Sequence, residues 1–137
     1  VSEYVPVDLR RRVRDAFFSR CAYCQTDEAL TVAIFEIEHI TPVSLDGQTE
    51  FDNLCLACSS YSRFKSNRTH GTTDAGLECR LFYPQQDSWL EHFDWTINGT
   101  VIVGVTDVGI QIAARRRSCY NWFERRRVSV WVDQDNE

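Results

Sequence analysis

Between residues 9 and 17 the apolar side chains Leu9, Val13, Ala16 and Phe17 recur at helical spacing, and arginines fill the positions between them. That period predicts a helix with one buried face, entered through Pro6, with Asp8 as its N-cap and an end near Ser19. The pattern changes at Thr31. From there to Ile40 the run TVAIFEIEHI is β-branched and apolar and reads as a strand, stopped by Thr41-Pro42. SLDGQTEFD is a polar loop, with Asp46-Gly47 as its turn. NLCLAC predicts a short second strand and SSYSRFKSN the start of a helix. A polar loop is expected over 69–76 and an extended segment over LECRLFYP, followed by the mixed aromatic run QQDSWLEHFDW. Ile97-Asn98-Gly99-Thr100-Val101 carries a hairpin signal, because Asn-Gly adopts the turn that suits strand twist. Thr106-Asp107 can cap a helix through VGIQIAARR. Periodicity leaves the tail YNWFERRRVSVWV open between helix and strand.

The chain has 137 residues, 43% of them hydrophobic and spread throughout, which points to one domain with at most a small appendage and a core of its own. No apolar run approaches the length of a membrane span. The first residues are polar and then arginine-rich, without a secretory pattern, so a cytoplasmic location is expected. The net charge of −5 argues weakly against a nucleic-acid partner, but placement matters more than the total. Of the 15 basic residues only Lys65 is a lysine. The arginines bunch at Arg10-Arg11-Arg12-Val13-Arg14, around Arg63, Lys65 and Arg68, and at Arg115-Arg116-Arg117 and Arg125-Arg126-Arg127. Guanidinium forks suit phosphate, while any single cluster also reads as a solvated helix face.

Cysteine usage adds candidate chemistry. In a chain without a secretory signal, the pairs Cys21/Cys24 and Cys55/Cys58 read as metal ligands before they read as disulfides. Cys119 reads as a packed thiol, and Trp89, Trp95, Trp122 and Trp131 as packing rather than stacking platforms.

The order of these segments resembles the HNH endonucleases, in the small bacterial or phage type whose ββα-metal core is braced by zinc. The residues that carry the resemblance are Cys21, Cys24, Ile37-Glu38-His39-Ile40, Pro42, Asn53-Leu54, Leu56-Ala57-Cys58 and Lys65. Downstream, the run from Leu81 to Trp95 and GVT with a second glycine at Gly109 look like the C-terminal extension of that group. The resemblance covers about residues 9–112. It implies a single α+β domain: an N-terminal helix over 9–20, a zinc knuckle and ββα-metal core over 21–68, and a hairpin–helix extension over 77–132.

It also implies a metal-dependent DNA endonuclease. Hydrolysis of a phosphodiester needs a divalent ion to stabilise developing charge and a base to activate water, and Glu38 beside His39 offers both a carboxylate and an imidazole. By the resemblance, His39 is the general base, Glu38 helps hold Mg²⁺ or Mn²⁺, and Asn53 orients the loop that carries the base. Arg63, Lys65 and Arg68 are expected on phosphates. His92 matches a recurrent family position, and its default role is structural.

The chain departs from the family pattern in one helical turn. Tyr61 stands where the second cysteine of the second pair belongs, Ser62 where the metal-binding Asn belongs, and Phe64 where a His often lies. Structural zinc takes four ligands, of which Cys21, Cys24 and Cys58 supply three. Cys55 is the nearest candidate for the fourth, with Cys79 or His70 as alternatives and a buried strand thiol as the other reading of Cys55. Ser62 becomes the candidate second ligand of the catalytic ion. The alternative from another class is an HNH-fold zinc module that binds DNA or a protein without cutting.

Overall fold

The computed structural model describes residues 4–95 and 102–113. Helix α1, Val7–Ala16, forms where the sequence predicts it and buries Val13 completely, in a small cluster with Val5 and Leu54. Its cap differs from expectation. Pro6 occupies the N-cap position without a side-chain bond, and Asp8 lies inside the first turn, 3.9 Å from Arg11. A proline is suited to that entry, because its ring fixes φ and the missing N–H has no partner to lose. The helix ends where Phe18 and Ser19 turn left-handed and the Ser19 amide donates to the Arg14 carbonyl, 2.9 Å away.

Strand β1, Glu36–His39, pairs antiparallel with β2, Leu54–Ala57, in the register His39 to Leu54 and Glu38 to Cys55. The run from Thr31 is therefore only partly strand. Its first half loses its ladder to local side chains. Glu28 Oε2 accepts from the Phe35 amide, Thr31 Oγ1 donates to the carbonyls of Glu28 and Ala33, and Val32 and Ile34 are left exposed. The loop from β1 to β2 contains two short 3₁₀ turns, Val43–Leu45 and Phe51–Asn53. Asp46 is left-handed there. Gly47 is required, since a Cβ at that position would run into the Thr41 carbonyl.

Helix α2, Ser59–Lys65, follows β2 with Cys58 at its N-cap position, and it packs on β1. The polar stretch after it holds a hairpin that its composition does not announce: β3, His70–Thr72, pairs with β4, Glu78–Arg80. Most of these strand positions face solvent, so no apolar alternation marks them.

Helix α3, Trp89–His92, leads into β5, Phe93–Trp95, which pairs with β6, Ile102–Gly104. The Asn98-Gly99 turn lies outside the described residues, and the strands on either side of it are joined by the register Trp95 to Ile102. Helix α4, Asp107–Ala113, is capped by Thr106, whose hydroxyl accepts from the Gly109 amide at 3.1 Å. Cys119, Trp122, Trp131 and the last two arginine clusters also lie outside the described residues.

The main core joins the thiol knuckle to the C-terminal segment. Tyr23 stacks on Tyr61, Phe82 packs edge-on against Tyr23 and Phe93, and Trp89 lies against Phe93 and Trp95. The Trp89 indole donates to the Tyr23 carbonyl at 2.9 Å. Each large side chain removed from water here contributes roughly 1.5–3 kcal/mol. Trp89 and Trp95 are packing residues, as expected. No helix among the described residues is long and apolar enough to cross a membrane.

Candidate functional site

Two sites are built around β1, β2 and α2. The first is the knuckle. The Ala22 amide donates to the Leu56 carbonyl at 2.8 Å and docks the CAYC turn on β2, while the Cys21 amide closes the turn on Thr26. This brings the Cys21, Cys24 and Cys58 thiols within 4.8 Å of one another, all buried. Cys24 Sγ lies 3.9 Å from Cys58 Sγ and donates to the Thr26 hydroxyl at 3.2 Å. Burial pushes the Cys21 thiol far above its ordinary pKa, so without a cation nearby the group stays protonated. The cluster could hold a metal ion, and no second cluster of three such side chains occurs among the described residues.

Cys55, expected as the fourth ligand, is placed elsewhere. It is fully buried on β2, with its Sγ 3.9 Å from the Tyr23 hydroxyl, and burial raises its pKa as well. The reason is the strand period. An odd separation along extended chain turns side chains to opposite faces, so Cys55 and Cys58 cannot both serve the knuckle. Cys79 is bonded at 3.4 Å to the Arg80 carbonyl in β4, and His70 is exposed on β3 with its Nδ1 2.8 Å from the Thr69 hydroxyl. Neither joins the cluster. Tyr61 fills the next turn of α2 as a buried aromatic stacked on Tyr23.

The second site is a groove of about 560 Å³ lined by Glu36, Glu38, His39, Ser44, Ser62 and Ser66, among others. His39 ends β1 half-buried, and its Nε2 lies 2.9 Å from the Thr49 hydroxyl. Asn53 is buried and grips the loop behind it. Its Oδ1 accepts from the Thr41 amide at 2.8 Å, and its Nδ2 donates to the carbonyls of Thr41 and Gln48 at 3.0 and 2.9 Å. One side chain thus ties both limbs of the loop to the start of β2.

Glu38 is 8% exposed, and neither of its oxygens has a hydrogen-bond donor. Burial raises its pKa from 4.5 to about 8; the Lys65 ammonium pulls it down and Glu36 pushes it up. Lys65, expected on phosphate, is turned inward. It is 2% exposed, its Nζ donates to the Ile40 carbonyl, and it lies 3.4 Å from the His39 carbonyl and 3.7 Å from Glu38 Oε1. Lys65 falls on the same helical stripe as Cys58 and Tyr61, which faces the core. Arg63 and Arg68 are exposed.

Several supporting residues were not identified from the sequence. Thr49 could have been suggested only by its place in the loop. Gln85 Nε2 donates to the carbonyls of Phe51 and Leu54, both at 2.8 Å, and the Tyr83 hydroxyl lies 3.4 Å from Asn53 Oδ1. No local pattern announces contacts across thirty residues. His92 is structural: its Nδ1 lies 2.7 Å from the Thr106 hydroxyl, beside Phe82.

No curated protein and no solved structure matches this chain. A family model does match residues 21–60, the span from the knuckle through β1, the loop held by Asn53 and β2 into α2. That model describes the HNH endonucleases, the family the sequence resembles.

Proposed function

We propose that this chain is a metal-dependent HNH endonuclease that hydrolyses phosphodiester bonds in DNA through a ββα-metal core. The observation that carries the reading is Asn53, which holds both limbs of the loop after β1 so that His39 faces the same groove as Glu38 and Ser62. In this reading His39 takes the proton from the attacking water, and the Thr49 hydroxyl on Nε2 keeps its ring oriented. Arg63 and Arg68 meet phosphates on the rim.

Each implied metal finds donors of its own class here, zinc three of its four. The three buried thiols are the soft donors that zinc takes, so Cys21, Cys24 and Cys58 would hold it as a structural ion. Glu38, a buried carboxylate without hydrogen-bond donors, would hold Mg²⁺ or Mn²⁺ with the Ser62 hydroxyl, directly or through water. When bound, that ion supplies charge stabilisation at the phosphate.

Plasmid nicking with Mg²⁺ or Mn²⁺ tests the reading. Wild type is expected to nick and His39→Ala to lose nicking while keeping its zinc. Equal nicking by both would remove His39 from the chemistry. The second reading, a zinc module that binds DNA or a protein without cutting, is favoured by one observation: the buried Lys65 ammonium already neutralises Glu38. DNA binding without nicking in either divalent ion would select it.

A further inference from the structure

We infer that Lys65 is a built-in cation that competes with the divalent ion for Glu38, so the groove takes up metal only against a resident positive charge. The inference rests on the reading of Glu38 as a metal ligand. It begins with what surrounds the ammonium. Lys65 Nζ has the Ile40 carbonyl, the His39 carbonyl at 3.4 Å and Glu38 Oε1 at 3.7 Å about it, in a pocket where Lys65 is 2% exposed. Two carbonyls and a carboxylate are the hard oxygen donors that a cation of the Mg²⁺ class selects. Here the chain supplies the cation itself.

The placement makes this competition rather than distant influence. Glu38 lines the groove with Ser62 and Ser66, whereas Lys65 lines a second cavity with Ile40, Thr41, Thr69 and His70. The ammonium therefore stands outside the groove's lining, beside a carboxylate whose oxygens are buried. An ion entering through the groove meets Glu38 with a fixed like charge beside the carboxylate. That charge cannot relax far, because the carbonyls holding it belong to His39, the last residue of β1, and to Ile40, whose amide is bonded to the Asn53 carbonyl at 2.8 Å. Buried like charges a few ångströms apart repel far more than exposed ones, since little water screens them.

The test is Mn²⁺ binding at pH 8, followed by the electron paramagnetic resonance signal of free Mn²⁺. It uses the full zinc-loaded chain as wild type, Lys65→Met, Glu38→Gln and the double variant. Methionine fills the same channel without charge. Lys65→Met is expected to bind Mn²⁺ at least about tenfold more tightly than wild type, a modest share of the repulsion expected at this separation. The double variant should lose that gain. Unchanged affinity in Lys65→Met overturns the inference.

If Lys65→Met does not fold, the wild-type comparison still decides. Competition predicts weak but measurable Mn²⁺ binding that Glu38→Gln removes, and weak binding indifferent to Glu38→Gln overturns it. Tight wild-type binding abolished by Glu38→Gln overturns it. Nicking is scored separately. Tighter binding in Lys65→Met with no nicking in any variant sinks the nuclease reading and leaves this one standing; wild-type nicking without the affinity gain does the reverse.

Discussion

The knuckle and the groove both draw on α2 but take different stripes of it. Cys58, Tyr61 and Lys65 recur at spacings of three and four and are all buried, one closing the thiol cluster, one stacked on Tyr23 and one inside beneath β1. Ser62 and Ser66, one position on, line the groove instead. On the buried stripe a substitution must replace volume, and Tyr61 does so with a ring that joins the aromatic core. On the groove stripe a substitution changes donors while disturbing little packing. Departures from the family pattern at neighbouring positions therefore have different consequences: Tyr61 is absorbed by the fold, whereas Ser62 changes the donors that line the groove.

The comparison breaks most visibly at the thiols. Cys21→Ser or Cys24→Ser should release the metal and cost about 3 kcal/mol or more, since ligand loss removes metal-binding free energy from folding. Cys55→Ser should keep one zinc per chain and lose only about 1 kcal/mol, the scale of a modest change at a buried site. Zinc content and thermal melts of the three variants check this. Zinc loss in Cys55→Ser would return that residue to the ligand set and dissolve the distinction between the two faces of β2.

The groove has its own structural anchor, and Asn53→Ala removes it. Three hydrogen bonds at about 1 kcal/mol each put the cost near 2–3 kcal/mol. Zinc content should hold while nicking falls by at least about tenfold, because His39 loses its fixed loop. Zinc loss in this variant would mean that the two sites are one cooperative unit.

How far these features could be read in the sequence depended on how local their causes are. Helix α1, the Asp46-Gly47 turn, β2, α2 and the Thr106 cap follow from residues within a few positions, and all were expected. Three of the four cysteines expected as ligands form the thiol cluster. Cys55 was misplaced because spacing alone does not say where a strand becomes a helix, and that transition decides which face a cysteine takes. Lys65 was expected on phosphate because it falls in a basic cluster with Arg63 and Arg68. Its inward turn depends on the carbonyls of His39 and Ile40, more than twenty residues away. The early end of the strand expected from Thr31 depends likewise on the Glu28 carboxylate capturing the Phe35 amide. The Gln85 clamp joins segments that share no local pattern.

A substitution on the open stripe sharpens the contrast. Ser62→Asn should raise nicking roughly tenfold to a hundredfold, the scale of restoring a ligand or its support, while leaving zinc content and melting temperature nearly unchanged. The gain should vanish when His39→Ala is added and when the divalent ion is chelated. A time course of nicking in the three proteins checks this. A melting shift without a rate change would move Ser62 to the structural side.

The smallest expected effect concerns the brace behind the start of β2. Asp87 accepts from both Arg80 Nη atoms, at 2.6 and 3.1 Å, and from the Tyr83 amide at 2.8 Å, closing the turn that presents Gln85 to Phe51 and Leu54. Burial alone would raise its pKa, but the bonds from Arg80 and Tyr83 outweigh it and hold the carboxyl below its ordinary 3.8. A depressed folded-state pKa contributes stability that is complete above the unfolded value and disappears as pH falls through the folded one. Arg80 is about half exposed, so solvent screening limits the contribution to about 1 kcal/mol. Asp87→Asn should therefore melt slightly below wild type at neutral pH, and the two should converge as pH drops below 3.8. Because the brace bears on the start of β2 and not on the groove's lining, Asp87→Asn should leave the zinc in place and change nicking little at neutral pH. A gap between the melts that persists in acid would show that the turn is held by packing rather than by the Asp87 charge.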